Sequence, residues 1–175
     1  MNEIKENELL KIGWREWVAL PDLGIPAIKA KIDTGARTSA LHAFDLKIIE
    51  KEGREKVHFR IRPLQRKKKL VLVCTSDLVE QRMVTDSGGH REMRPVIRTP
   101  VSMGNIRWFI EITLTRRDTM KFRMLLGRSA LNARFLIDPA ESYLTGKALS
   151  KYYSNSKASF KASGKASGKP SGRSL

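Results

Sequence analysis

The chain has 175 residues, a formal net charge of +16 and a single cysteine, which suffices for one domain with a hydrophobic core but not for two large ones. No apolar run approaches the roughly 18 residues of a membrane span, and Met1-Asn2-Glu3-Ile4-Lys5 lacks the basic-then-apolar order of a secretory leader, so a cytoplasmic setting without membrane contact is expected. One thiol excludes a disulfide framework, and Cys74, inside Leu70-Val71-Leu72-Val73-Cys74, reads as a buried structural thiol.

Residues 1–10 read as an N-terminal extension. Over 11–150, short alternating segments bounded by turn residues predict an all-β domain. Strands are expected at 11–20, 25–32, 44–49, 56–62, 69–75, 81–86, 92–102, 107–115 and 121–126. The turn signals between them include Pro21-Asp22-Leu23-Gly24, Lys51-Glu52-Gly53, Asp86-Ser87-Gly88-Gly89 and Met103-Gly104-Asn105. One short helix is expected at 128–133, followed by a strand at 135–139, and the spacing suits a small closed β structure. Residues 151–175 carry a Lys/Ser/Gly/Ala-rich repeat with too little apolar content to offset ordering of the backbone, which predicts a disordered basic tail.

The tail supplies +6 of the net charge and leaves +10 on the remainder, so the body is basic in its own right. Such a balance points to polyanionic partners such as RNA, the ribosome or an acidic polypeptide. Arg60, Arg62, Arg66, Lys67, Lys68 and Lys69 form a basic loop that reads either as an RNA or ribosome contact or as a solvated loop; no aromatic platform interleaves it. The tail reads equally as an electrostatic tether or a solvated extension.

Chemistry enters at Ile28-Lys29-Ala30-Lys31-Ile32-Asp33-Thr34-Gly35-Ala36, where an alternating strand runs into one carboxylate, one hydroxyl and one glycine. Further on comes the apolar run Met124-Leu125-Leu126-Gly127-Arg128, opening the expected helix. This pair of motifs resembles the retropepsin-like aspartic peptidases. The longer string 31–43, with Arg94-Pro95-Val96-Ile97 and Met124-Leu125-Leu126-Gly127-Arg128, is similar to the bacterial retropepsin-like group labelled ATP-dependent zinc proteases and associated with ATP-grasp glutamate ligases. Neither half of that label follows from the residues: there is no phosphate-cradling Gly-Lys-Ser or Gly-Lys-Thr loop and no His-Glu-x-x-His, and no cofactor is expected.

The resemblance implies a closed retropepsin-like β-barrel with one short C-terminal helix, acting as an aspartic endopeptidase. Asp33 would be the catalytic carboxylate, Thr34 would brace the pair across a two-fold axis, and Gly35 would permit the turn. Because the motif occurs once, two chains would form a homodimer and share one proton between adjacent carboxylates. Ala36 offers no hydroxyl to the ionised pair, which points to activity at less acidic pH than in relatives with serine or threonine there. Gly127 would allow close approach of the C-terminal strand, and Arg128 would support the active-site loop. The acid that pairs with this arginine in retroviral enzymes is replaced here by Arg37, so Arg128 must find another partner, with Asp118 and Asp138 the candidates. Arg37 and Ala36 would then face an acidic peptide or protein substrate, closed over by a flap carrying Ser87, Gly88 and Gly89.

Three rivals are weighed against this reading. Asp86-Ser87-Gly88 is an allowed variant of the catalytic tripeptide, but it lies too close in sequence to Asp33 for a duplicated lobe, and a polar hairpin tip is the simpler assignment. His42, His58, His90 and Cys74 lack ligand-pair spacing, so no metal is expected. The third is a non-catalytic basic module of the same fold holding RNA or an acidic protein.

Overall fold

A computed structural model describes residues 9–155; the N-terminal extension and the basic tail fall largely outside them. The segment expected as one strand at 11–20 is two: β1 (Leu10–Gly13) and β2 (Arg15–Leu20). The chain changes sheet between them, because β1 pairs in parallel with β12 (Phe135–Asp138) while β2 pairs antiparallel with β3 (Ile25–Ile32). Gly13 makes the change possible: a Cβ there would overlap the Glu141 carbonyl, and the Trp14 N–H donates to that same oxygen at 2.9 Å.

The remaining strands are β4 (Ser39–His42), β5 (Phe44–Lys51), β6 (Arg54–Ile61), β7 (Leu72–Asp77), β8 (Glu80–Thr85), β9 (Arg91–Met103), β10 (Ile106–Thr115) and β11 (Met124–Leu126). The helix α1 is Arg128–Leu131, shorter than expected, and a second, α2, is Tyr152–Asn155. Among the described residues no helix is long and apolar enough to cross a membrane.

One sheet has the order β10-β4-β11-β3-β2-β9-β8, and β10 also pairs with β9, so its pairings form a ring. β5, β6 and β7 form a separate three-stranded sheet, whose first hairpin turns at Glu52 and Gly53, both with positive φ, the geometry that matches the right-handed twist of the flanking strands. Ile28, Ala30 and Ile32 of β3, Val57, Phe59 and Ile61 of β6, and Ile97, Ile110, Ile112 and Met124 share one buried core with Cys74. Burial pushes the Cys74 thiol up to about 11, so it stays protonated at neutral pH.

β4 was not foreseen. Ser-Ala-Leu-His has little strand propensity, and all four residues are buried because β10 and β11 flank it on either side. Residues 148–155, divided in the sequence between domain and tail, dock on the body: Tyr153 is buried against Trp17 and Ala27, and its hydroxyl donates to the Ala27 carbonyl at 2.7 Å.

His42, the last residue of β4, is buried. Its Nδ1 accepts the Arg117 N–H at 3.2 Å and its Nε2 lies 3.5 Å from Asp118, an arrangement of neutral imidazole. Burial, then the nearby Arg123 charge, lowers its pKa below the usual 6.5. The unfolded chain therefore binds a proton that the folded chain resists. The stability contribution is full above about pH 6.5 and is lost as pH falls below that value towards the folded pKa. Thermal midpoints measured from pH 7 to pH 5 are expected to fall more steeply for the wild type than for His42→Gln; equal slopes would show that another group governs this window.

Candidate active site

β3 delivers Asp33 to its C-terminal end, and the Asp33 N–H donates to the Leu126 carbonyl at 2.9 Å, fastening the residue to the end of β11. The turn then closes on itself. Gly35 N–H donates to Asp33 Oδ1 at 3.1 Å, and Ala36 N–H to the Asp33 carbonyl at 3.2 Å. Asp33 is half-buried, whereas Thr34 and Gly35 are exposed.

α1 holds the turn from behind. Its first N–H groups, on Arg128 and Ser129, donate to the Ala36 and Arg37 carbonyls at 2.9 and 3.0 Å; the active-site turn thus satisfies helix donors that a side-chain cap would otherwise take. The Arg128 guanidinium donates to the Thr34 carbonyl at 2.8 Å and to the Gly35 carbonyl at 3.3 Å. The acid expected for Arg128 is not used. Asp138 pairs with Lys11 at 2.8 Å and Asp118 lies beside His42, so backbone oxygens stand where the retroviral pattern has a carboxylate.

Gly127 lies where the strand end crosses the turn. Its backbone is ordinary extended chain, and the constraint is space: a Cβ would stand 2.7 Å from the Thr38 carbonyl carbon and oxygen and 3.0 Å from the Ala36 oxygen. Its N–H donates to Ser39 Oγ at 3.1 Å in the buried interior. Both obstacles are backbone and cannot swing aside as a flexible side chain would. Gly127→Ala is therefore expected to cost about 1–3 kcal/mol by overpacking, measured by urea unfolding, and to displace the Asp33 turn. An unaltered unfolding midpoint would mean that the crossing can spread freely.

Asp33, Gly35, Ala36 and Arg37 line one side of a cleft of about 660 Å³, and Arg82 to Ser87 of the β8–β9 hairpin line another. Of the flap residues anticipated, Ser87 reaches the cleft, while Gly88 and Gly89 are not among its lining residues; Thr34 lines a different hollow with Arg37, Arg128 and Phe135. Asp86 organises the hairpin tip. Its Oδ1 accepts the Gly88 and His90 N–H groups at 2.9 and 3.0 Å, and these bonds, that from His90 foremost, hold its carboxyl below the usual range. That geometry favours the hairpin-tip reading over a second catalytic carboxylate.

Three further arginines line the cleft that were not singled out as site residues from the sequence: Arg82, Arg94 and Arg117. Arg82 and Arg94 stand directly opposite each other on β8 and β9, a repulsive pairing unless neutralised. Glu111 takes Arg82 at 2.9 Å, and Glu92 takes Arg94 at 2.8 Å. Arg117 lies 3.9 Å from Asp86, and Arg37 is exposed without an acidic partner among the described residues. Arg94 entered the sequence reading only as part of a motif, and no local pattern singles out Arg82 or Arg117. Among the described residues no three of His, Cys, Asp and Glu gather so as to hold a metal ion. His58 Nδ1 instead hydrogen-bonds Thr75 at 2.9 Å.

Comparison with known proteins agrees with this geometry. Residues 11–148 match the model of the RimB-like family, described as retropepsin-like aspartic endopeptidase RimB. The chain is 45% identical over 136 residues to a "Probable alpha-L-glutamate ligase" of Shewanella pealeana, covering 78% of this chain and 30% of that protein. It is 42% identical over 150 residues to a protein of the same description from Desulfotalea psychrophila, covering 83% and 32%. The chain thus spans about a third of the length of these relatives. A crystal structure of a protein of unknown function from Legionella pneumophila superposes with a TM-score of 0.64 at 27% identity, covering 78% of this chain and 98% of that one. By the match that takes in both the Asp33 turn and the Gly127–Arg128 crossing behind it, the chain belongs to the RimB-like family of retropepsin-like aspartic endopeptidases.

Proposed function

We propose that two copies of this chain form an aspartic peptidase that hydrolyses peptide bonds in acidic segments, including glutamate-linked ones. The observation that carries this reading is the Asp33 turn, locked from behind by Arg128 and open in front to a cleft lined by Arg37, Arg82, Arg94 and Arg117. Relatives described as probable alpha-L-glutamate ligases support an acidic substrate.

In the proposed dimer the two Asp33 carboxylates share one proton, since like charges that close cannot both ionise cheaply. The ionised member takes a proton from a water, whose oxygen adds to the amide carbonyl carbon while the protonated member gives its proton to the carbonyl oxygen. The tetrahedral intermediate then breaks its C–N bond, with a proton going to the leaving nitrogen, and yields a carboxylic acid and an amine. Thr34, exposed in the single chain, would meet its twin across the two-fold axis, and the hollow beside it would receive the second subunit. The same reading takes the ring of strand pairings as the closed barrel of such a subunit and places it in the cytoplasm, which suits a lone buried cysteine.

The test compares wild-type protein with Asp33→Asn on an acidic peptide library and on a protein extended with glutamates, with products read by mass spectrometry and assembly by sedimentation. Cleavage by the wild type alone, from a dimer, is expected. Equal or absent turnover by both proteins, with salt-sensitive RNA binding instead, would replace the peptidase with a basic binding module.

A further inference from the structure

A second basic hollow, of about 590 Å³, lies away from the Asp33 cleft and is lined by Arg15, Lys29, Arg66, Lys67, Lys121 and Arg123. Strand register explains half of it. Lys29 and Lys31 point away from the core on β3, Trp17 and Arg15 stand opposite them on β2, and Leu125 of β11 pairs with Lys31 from the other side. The loop carrying Arg66 and Lys67 completes the wall.

None of the six cations is ion-paired with an acid among the described residues. Arg15 donates to Ser142 Oγ at 3.1 Å, and the buried Nε of Arg123 has no hydrogen-bond partner. Where two arginines face each other across strands, by contrast, acids neutralise them, as Glu111 and Glu92 do for the opposed pair Arg82 and Arg94. A concave cluster of uncompensated cations is held against mutual repulsion, and an anion occupying it would relieve that repulsion.

Shared residues lead from the hollow towards the candidate active site. Lys121 borders both it and a neighbouring depression formed with Trp14, Lys31 and Phe122; that depression shares Met120 and Leu125 with the Asp33 cleft. Along β3, Lys29 precedes Asp33 by four positions, a span of about 13 Å that four or so extended residues would cover. Bases find no free stacking platform here, because Arg15 lies over the Trp14 ring at 4.5 Å and Lys29 over the Trp17 ring at 5.3 Å. Carboxylate side chains on an extended polypeptide suit the groove better than nucleic acid.

We propose that this hollow is a second anchoring site for an acidic polypeptide, gripping glutamate or aspartate residues several positions from the bond that lies at Asp33. The proposal rests on the peptidase reading of the cleft and adds to it a preference for long acidic chains. Anchoring at two linked sites raises affinity with peptide length until both are filled.

The test is equilibrium binding to the Asp33→Asn protein, in which turnover does not intrude. Fluorescent decaglutamate, tetraglutamate and a ten-nucleotide single-stranded RNA are titrated against that protein and against two double variants built on it, Lys29→Gln/Arg123→Gln and Arg66→Gln/Lys67→Gln. The second pair alters only exposed loop residues and keeps the test valid should the first fail to fold. Decaglutamate is expected to bind more tightly than tetraglutamate and to weaken about tenfold in either double variant, as two lost charge contacts imply. Absence of decaglutamate binding, equal affinity for parent and folded variants, or tighter binding of the RNA overturns the proposal. Failure of the wild type to cleave any peptide while this length-dependent binding persists would remove the peptidase reading and leave the anchoring site standing.

Discussion

Asp33→Asn is expected to lower the rate of the proposed peptide hydrolysis by about 10³-fold or more while leaving the fold in place. The magnitude follows from the proposed role: positioned general acid–base groups contribute typically 10²–10⁴-fold, and an amide can neither take the proton of the water nor pass one to the carbonyl. The fold is spared because asparagine keeps an Oδ1 that accepts the Gly35 N–H, and because the other supports of the turn are backbone groups. Leu126 holds the Asp33 N–H, and Arg128 holds the Thr34 and Gly35 carbonyls. Values of kcat/KM and thermal midpoints measured together separate the two effects. Undiminished turnover in the variant would show that Asp33 does no chemistry; a collapsed midpoint would show that its charge holds the turn.

Glu16→Ala is expected to destabilise the folded chain by about 3–5 kcal/mol, the cost of leaving two or so buried hydrogen-bond donors without an acceptor. Glu16 is fully buried in β2, and its carboxylate accepts four hydrogen bonds: from the N–H of Gly13 at 2.7 Å, of Leu144 at 2.9 Å and of Thr145 at 3.3 Å, and from Thr145 Oγ1 at 2.8 Å. Alanine strands these donors, each at about 1–3 kcal/mol if left fully unsatisfied, although the partly buried groups around Leu144 and Thr145 can recover water. The loss falls where β1 leaves β2 and where the 141–145 segment lies against that break. It would therefore loosen the β1–β12 pair along with the loop. Glu16→Gln should cost less, since one acceptor oxygen survives. Urea unfolding of both variants checks the order, and a change below about 1 kcal/mol for Glu16→Ala would mean that water replaces the carboxylate without penalty.

Much of the strand pattern was legible because its signal is local. β3 ends where Ile28-Lys29-Ala30-Lys31-Ile32 stops alternating, and the boundaries expected for β8, β9 and β10 fall within one residue of those observed. The motif residues are likewise placed by short-range rules: Asp33 and Gly35 make their turn between themselves. β4 and the split at Gly13 were invisible for the opposite reason. Ser-Ala-Leu-His becomes a strand through β10 and β11, and Gly13 changes sheet against Glu141, each partner contributed by a remote part of the chain.

By itself, then, the sequence determined the β-rich class and the position of Asp33 at a strand end, because periodicity and turn chemistry act between neighbours. Only the tertiary structure decided what those residues touch. It gave Arg128 two carbonyls in place of a carboxylate, made Glu16 a buried acceptor for donors more than 120 positions away, and set Arg82 and Arg94 face to face with their own acids. Hydrogen-bond partners and charge compensation are fixed by strand register across long loops, and register between distant segments is written in the packing of the core and not in any one stretch of chain.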